Sequence, residues 1–369
     1  MKRFLSFAAF SLMTAMALSS VACSEDDKKE ENLWNVPSED QIITIEPSYA
    51  ITELKVMSFN ILTNGNSGTD NNWDKRKEVI IDMIKEEAPA IFGLQEARKS
   101  QVDYLADNLL NYDYIAVSRE DGGKDSPGER TAIFYNTDIV EQMEIDGEKY
   151  HTLWLSENPT QPSIGWNDGP AILNGSSLSR YKRTYTWSLF RVKETDAEFV
   201  FFNTHLEYGH HVDIFQRPRN ESIKQLVKKF QQVTTPKRAV VFMGDMNQQY
   251  GHEAFNPLYN WGMYDSREKF SENVTDEAEK NKIWCNTWSD YGVAEAEDDP
   301  KLPNYPDKNR KVADSKVNIR QIDYIFLKNC DVKFYRVIND EKWQNNGYYL
   351  SDHHPVTATI TWGDIKPGQ

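Results

Sequence analysis

Five short apolar runs in this chain each meet a residue able to carry chemistry. Residues 57–60 (Met-Ser-Phe-Asn) stop at an amide, and residues 91–96 (Ile-Phe-Gly-Leu-Gln-Glu) stop at a carboxylate. Residues 201–205 (Phe-Phe-Asn-Thr-His) stop at an imidazole, and residues 241–247 (Val-Phe-Met-Gly-Asp-Met-Asn) at a carboxylate and an amide. Residues 320–326 carry Asp323 inside an otherwise apolar stretch, and Ser351-Asp352-His353-His354-Pro355 precedes the last apolar run. A carboxylate at the end of a buried strand costs desolvation unless it is paired or holds a metal. Taken singly, such an Asp starts a turn, such an Asn caps one, and a lone His is a satisfied side chain. Six recurrences in one chain supply oxygen ligands, two imidazoles and an amide, a set suited to a hard divalent cation and phosphate chemistry.

Periodicity places these runs on strands. Residues 54–60 alternate and read as a strand. Asn71 and Asn72 can cap a helix whose apolar face is Val79, Ile80, Met83 and Ile84, and Pro89 closes it. Residues 90–94 read as a buried strand and 101–110 as a helix with Val102, Leu105 and Leu109 on one face. Strands are expected near 112–117, 131–135, 185–192, 198–203, 239–243, 322–327, 332–337 and 356–362, with a helix over 221–233. Strands outnumber helices, and both buried and half-buried strands occur, so the pattern predicts an α/β fold: two packed sheets flanked by helices in a single domain. The polar segment 266–320 reads as a surface insertion or a substrate-side loop.

The N-terminus reads as an address. Lys2 and Arg3 precede an apolar stretch over residues 4–18, too short to span a bilayer comfortably, and Ser20-Val21-Ala22-Cys23 resembles the lipobox of bacterial lipoproteins. Residues 1–22 are therefore expected to be a signal peptide, with Cys23 lipidated and residues 23–50 a tether to a domain over 51–363, followed by a 364–369 tail. Simple secretion with cleavage nearby is the plainer alternative. The acidic Ser24-Glu25-Asp26-Asp27 resembles a surface-export signal of some Gram-negative lipoproteins, which points to an outer-membrane or cell-surface location. The chain has 42 basic and 57 acidic residues, and loss of Lys2 and Arg3 with the leader moves its net charge from −15 to −17. That balance opposes charge-driven nucleic-acid binding but leaves room for a nuclease whose metal supplies local positive charge. Three cysteines exclude a disulfide-dense scaffold and a four-cysteine zinc site, while Cys285 and Cys330 remain able to bridge outside the cytoplasm.

The ordered strings SFNI (58–61), LQE (94–96), NTHL (203–206), GDMN (244–247), QIDYIF (321–326) and SDHHPV (351–356) resemble the endonuclease/exonuclease/phosphatase superfamily over residues 54–362. The resemblance implies a two-sheet α/β sandwich of the deoxyribonuclease I type with its active site at one end of the sheets. It implies Mg²⁺ or Mn²⁺ held by Asn60, Glu96 and Asp352. It implies Asp245 as the group that orients or deprotonates the attacking water, and Asn247 as a donor to a phosphoryl oxygen. His353 would serve in acid–base chemistry, held in one tautomer by Asp323, and His205 would hydrogen-bond the transition state, with Glu129 as its carboxylate partner. Trp154-Leu155-Ser156, Gly165-Trp166, Arg183 and Thr186-Trp187 resemble segments of a bacterial subgroup, and Arg183 is a candidate phosphate contact through its guanidinium fork.

Departures from the family narrow the substrate. Where that subgroup often has NTHLDH, this chain has Glu207-Tyr208, and Tyr208, His210 and His211 define an unusual rim. The adjacent histidines do not outweigh magnesium with zinc, since no helix carries two of them at i, i+4. Gln248-Gln249 and residues 319–323 lack the signatures of inositol 5-phosphatases. Residues 284–288 (Trp-Cys-Asn-Thr-Trp) give only weak support for a membrane-insertion hairpin, and the basic cluster 308–311 lies in the polar segment. The expected activity is metal-dependent hydrolysis of a phosphodiester or phosphomonoester by activated water. The favoured substrate is a small phosphorylated molecule or a lipid headgroup. The alternatives are an extracellular nuclease that scavenges nucleic acid, and a surface lipoprotein that binds without catalysis.

Overall fold

The computed structural model describes residues 51–64, 72–145, 147, 150–166, 171–173, 176–178, 180–208, 216–288, 321–343 and 349–363. The leader, Cys23, the tether, Asn71, His210, His211, the 308–311 cluster and the 364–369 tail lie outside the described residues. Among the described residues no helix is long and apolar enough to cross a membrane.

Two mixed sheets face each other. The first comprises β1 (Thr52–Asn60), β2 (Ile91–Ala97), β3 (Tyr112–Ile115), β4 (Arg130–Asn136), β14 (Asp331–Val337) and β15 (Val356–Trp362), in the order β14-β15-β1-β2-β4-β3. The second comprises β5 (Val140–Met143), β6 (His151–Trp154), β9 (Thr184–Val192), β10 (Glu198–His205), β11 (Ala239–Asp245), β12 (Tyr264–Asp265) and β13 (Asp323–Lys328). Its order is β12-β13-β11-β10-β9-β5, with β6 also on β9. A small hairpin, β7 (Ala171–Leu173) and β8 (Ser176–Leu178), stands apart. Helices α1 (Trp73–Glu87) and α2 (Lys99–Asn108) pack on the outside of the first sheet, and α3 (Gln216–Val233) on the outside of the second.

Both faces of the central strands are covered, which is why they read as continuous apolar runs. Alternate residues of β1, Leu54 and Val56, join Phe201, Val241 and Ile325 between the sheets. Met57 and Phe59 face outward onto Ile80 and Ile84 of α1. In the second sheet Phe202, Val240 and Phe242 meet Leu226 and Phe230 of α3. Asn72 caps α1, accepting from the Lys75 N–H at 3.2 Å, and Ala88 in a left-handed conformation ends it ahead of Pro89.

The topology alone brings the polar strand ends together. β1 and β2 run parallel, as do β10 and β11, so Asn60 and Glu96 leave the first sheet where His205 and Asp245 leave the second. β13 runs antiparallel to β11 with Asp323 opposite Asp245. β15 runs antiparallel to β1 with Val356 opposite Ser58, which sets Asp352 and His353 just above Asn60. An amide clamp joins the sheets below this end. Asn203 donates to the Leu94 and Ala132 carbonyls, both at 2.8 Å, and accepts from Gln95 at 2.7 Å. Gly93 makes room for it, since a Cβ there would stand 2.6 Å from Asn203 Cγ.

Some expectations are corrected. The segment from residue 266 is not all loop: α5 (Ser266–Ser271) and α6 (Glu277–Ile283) begin on Asp265 and Asp276 caps, and Ile283 and Trp284 enter the core between the sheets. Strands β5, β6, β7 and β8 and the short helix α4 (Asn256–Asn260) were not anticipated, being too short to show a period. Cys285 and Cys330 are not joined by a disulfide, the second being buried and the first half-buried. Trp284 is buried and Trp288 pairs in a bridge with His353, so this segment is a wall of the site and not a membrane hairpin.

Candidate active site

Asp245 is at the centre. It is buried at the last position of β11, and its Oδ1 accepts from the Asn247 N–H at 2.8 Å. Its Oδ2 accepts from Asn60 Nδ2 at 3.0 Å, lies 3.4 Å from His205 Nε2 and 3.7 Å from His353 Nε2. Burial, then Asp323 opposing the pull of His353, pushes its carboxyl up to about 7.

Asp323 Oδ2 lies 2.9 Å from His353 Nδ1, and both residues are buried. Burial works against the charge on His353, but Asp323, Asp245 and Asp352 outweigh it and hold the imidazole well above its ordinary value. His353 is therefore an imidazolium between two carboxylates, with Nδ1–H on Asp323 and Nε2 aimed toward Asp245. His205 is the opposite case. Burial, then Arg183, Arg119 and His353, hold it well below its ordinary value, so it is neutral. One site thus keeps one charged and one neutral imidazole, set by environment.

The supports come from outside the strands. Thr287 Oγ1 accepts from the Ile322 and Asp323 N–H groups at 3.0 and 3.1 Å. Buried Arg76 of α1 donates to the Ile61 and Leu350 carbonyls, both at 2.7 Å, and so ties the turn after β1 to the Asp352 loop. Buried Arg219 of α3 does the same across the second sheet, donating to the Glu207 and Tyr208 carbonyls and to Gln248. Glu96 and Asn247 sit at strand ends with φ of 62° and 46°. Asn tolerates the left-handed region, whereas a glutamate held there marks backbone strain where β2 loses register with β4.

Glu96, Arg183, His205, Asp245, Asn247, Asp352 and His353 line one cavity of about 460 Å³, while buried Asn60 and Asp323 reach it only through their bonds to Asp245 and His353. Two placements differ from expectation. Glu129 does not pair with His205: Arg119 Nη1 holds it at 2.6 Å, and Arg98 lies 3.9 Å away. A carboxylate beside two guanidiniums is better paired there than against a neutral imidazole. Asn60 turns its NH₂ to Asp245 and Glu96, at 3.0 and 3.2 Å, while its oxygen accepts from the Leu62 N–H at 3.1 Å. As placed it braces the carboxylates and offers no oxygen ligand. His354 faces away from the cavity, its ring 6.0 Å from that of Tyr349, as an extended segment requires. Arg119 was not anticipated; it stands in no motif, and only its partner Glu129 hinted at it.

The donor set fits a hard cation. Glu96 is half-exposed at the cavity and its Oε2 is engaged only by the Thr63 N–H at 3.3 Å, while Asp352 adds a second carboxylate to the cavity lining. The most compact group of acidic and imidazole atoms among the described residues is Asp245, Asp323 and His353, all within 4.8 Å. Those atoms are committed to one another, which makes them a proton-handling set more than a ligand set.

A model of the Endonuclease/Exonuclease/phosphatase family matches residues 57–353. The chain belongs to the endonuclease/exonuclease/phosphatase family. Members of this family are phosphoester hydrolases, generally dependent on a divalent metal. Similar solved structures include a family protein from Bacteroides thetaiotaomicron, 27% identical, covering 86% of this chain and 100% of that one at a TM-score of 0.62. The mannosyl-6-phosphatase Bt3783 of the same species is 27% identical, covering 83% of this chain and 99% of that one at a TM-score of 0.60. The uncharacterized protein L388 of Acanthamoeba polyphaga mimivirus is 25% identical over 246 residues, covering 65% of this chain and 82% of its own length.

Proposed function

We propose that the protein is a metal-dependent phosphoesterase that hydrolyses a small phosphorylated molecule or a phosphorylated lipid headgroup by direct attack of water. The observation that carries this is the joined Asp245–His353–Asp323 set, with neutral His205 and Asn247 beside it, at the mouth where both sheets end. Asp245, with its carboxyl at about 7, is poised to orient the water and take its proton. Asp323 holds Nδ1–H of the imidazolium, so Nε2–H is the group that can give a proton or a hydrogen bond to a phosphoryl oxygen. His205 and the Asn247 amide stand where negative charge would grow on oxygen. Glu96 and Asp352 would hold Mg²⁺ or Mn²⁺, with Asn60 bracing them or, its amide turned, adding an oxygen. A cation there supplies Lewis-acid charge to a phosphoryl oxygen.

A binding lipoprotein on the same fold would lack part of this set, and the acidic surface is a poor track for polynucleotide phosphates. The Bacteroides mannosyl-6-phosphatase, similar over most of this chain, supports a small phosphorylated substrate. We place the protein outside the inner membrane, tethered by a lipid on Cys23, a reading that rests on the N-terminal sequence. Its test is fatty-acid labelling that disappears in Cys23→Ala. The test of the function is hydrolysis of p-nitrophenyl phosphate and bis-p-nitrophenyl phosphate with Mg²⁺, with Mn²⁺ and with chelator. Metal-dependent turnover abolished in His353→Ala supports the proposal. Turnover that survives chelator, or persists in His353→Ala, overturns it. Faster cleavage of DNA or RNA than of either ester would move the assignment to the nuclease.

A further inference from the structure

The bond between Asp323 and His353 crosses from one sheet to the other. Asp323 opens β13 of the second sheet, and His353 stands in the segment that leads into β15 of the first. His353 is anchored on its own side: Ser351 Oγ accepts the His353 N–H at 3.2 Å and donates to the Asn60 carbonyl at 2.7 Å. Asp323 has less to hold its carboxylate in place. Its Oδ1 has no hydrogen-bond partner, and the buried carboxylate of Asp245 stands opposite on β11. Like charges directly opposite on paired strands push each other away. A contact of 2.9 Å between two sheets therefore needs a part that holds both of its ends.

Thr287 touches both ends. It is fully buried, and its Oγ1 gives its two lone pairs to the N–H groups of Ile322 and Asp323, at 3.0 and 3.1 Å, from 35 and 36 residues away in the chain. Its carbonyl accepts from the His354 N–H at 2.7 Å. The next residue, Trp288, pairs with His353 in an isolated antiparallel bridge. One residue thus grips the backbone on each side of the Asp323–His353 bond. We propose that Thr287 is a positioning residue for catalysis, whose hydroxyl sets Asp323 against His353 across the two sheets and so keeps Nε2 of His353 aimed at the reacting phosphate. The inference rests on the phosphoesterase reading of this site and deepens it by naming what aligns the proton-handling set. Thr287 is not among the residues that line the cavity, so it acts through Asp323 and His353 and not on substrate. The competing account is that its bonds stabilise the fold and nothing more.

Two readouts separate these. Thr287→Val keeps the shape and removes the acceptor, and Thr287→Ser keeps the hydroxyl. The first readout needs no turnover: the proton NMR spectrum of the full chain with Mg²⁺. An imidazole Nδ1–H bonded to a buried carboxylate gives a slowly exchanging downfield resonance, assigned by its loss in Asp323→Asn. It should be present in the parent and in Thr287→Ser and lost or broadened by exchange in Thr287→Val. Its absence from the parent, or its survival in Thr287→Val, overturns the proposal. The second readout is turnover of p-nitrophenyl phosphate and bis-p-nitrophenyl phosphate. In Thr287→Val kcat should fall at least about thirtyfold with KM within about threefold, since an ångström of misplacement at reacting groups costs about 10²-fold. Thr287→Ser should stay within about fivefold of the parent, and Thr287→Val should cost less than about threefold more when added to Asp323→Asn. A loss that adds in full on that background, or that Thr287→Ser does not reverse, assigns Thr287 to the fold alone and overturns the proposal. If Thr287→Val does not fold, Thr287→Ala leaves room for a water at the two N–H groups and should lower kcat about tenfold. The expected resonances in a protein that hydrolyses neither ester would sink the phosphoesterase reading and leave the positioning of Asp323 standing.

Discussion

Replacing Asp323 by Asn isolates the carboxylate that sets the charge of His353. The change is nearly isosteric, and the Asn oxygen can still accept from Nδ1–H, so the loss is one of charge and tautomer control. The partners are 2.9 Å apart and both buried. With charge centres about 4 Å apart and an effective dielectric near 20, the attraction is about 4 kcal/mol. Asp245 and Asp352 still face His353 in the variant, so about 3 kcal/mol of that is expected to be lost in the step that needs the imidazolium. At 1.36 kcal/mol per tenfold, kcat should fall about 10²–10³-fold. The fold should lose only part of that attraction, because Asp245 and Asp352 still face His353, and removing a carboxylate whose Oδ1 has no hydrogen-bond partner relieves its repulsion of Asp245 across the β11–β13 pair. Thermal denaturation should show a Tm lowered by a few degrees, at about 2–4 °C for each kcal/mol of net loss. The assay is turnover of both p-nitrophenyl esters at saturating Mg²⁺ or Mn²⁺, with Tm measured on the same preparations. A kcat within tenfold of the parent, at full Tm, would refute the reasoning, because His353 would not then depend on Asp323.

The same network sets a pH dependence. Asp245 is pushed up to about 7, first by burial and then by Asp323; acting as a base it must be unprotonated, so kcat/KM should rise with pH through about 7. In Asp323→Asn the repelling charge is gone and that limb should move to lower pH; a limb that stays in place or moves upward contradicts the assignment. Asn203→Ala should destabilise the protein by about 2 kcal/mol or more, since it takes a donor from the Leu94 and Ala132 carbonyls and leaves the Gln95 amide only Ser58 and Gly93 as acceptors, and denaturant unfolding measures it. Of the two cysteines among the described residues, half-buried Cys285 should take an alkylating reagent in the native state. Buried Cys330, its thiol pushed up to about 12, should label only after unfolding, as read by peptide mass spectrometry. Equal native labelling would mean that the β13–β14 connection opens.

What could be read from the chain follows from how each signal is encoded. Strands buried on both faces announce themselves as apolar runs, and their ends announce the site because acids, amides and imidazoles have no other reason to interrupt such runs. Asn60, Glu96, His205, Asp245, Asp323 and His353 were legible for that reason, and parallel pairing of β1 with β2 and β10 with β11 brings them together. The supports were not. Arg76 and Arg219 lie on amphipathic helices, where an arginine reads as surface, yet both are buried and cap loop carbonyls. Thr287 lies in a segment with no periodicity and acts through one hydroxyl. Short α5 and α6 were hidden by their polar composition, because α5 packs through buried Arg267 against Trp284 and Tyr335 and the two helices bring only Phe270 and Ile283 as large apolar side chains.

Glu129 is placed by all its neighbours and not by His205 alone. A glutamate beside a turn and a histidine at a strand end make a plausible dyad if nothing else is near. Arg119 changes the outcome, because a charged hydrogen bond of 2.6 Å outweighs one to an imidazole that burial keeps neutral. The consequence reaches the chemistry. With Glu129 held by Arg119, His205 has no carboxylate partner except Asp245 among its described contacts, at 3.4 Å. Its Nε2 is then shared between Asp245 and whatever enters the cavity. On the proposed mechanism, a neutral donor in that position would follow the proton that Asp245 takes from water, weakening its bond to Asp245 as the carboxyl protonates and strengthening one to phosphate. A His205–Glu129 dyad would instead have fixed His205 as a static cation and removed that coupling.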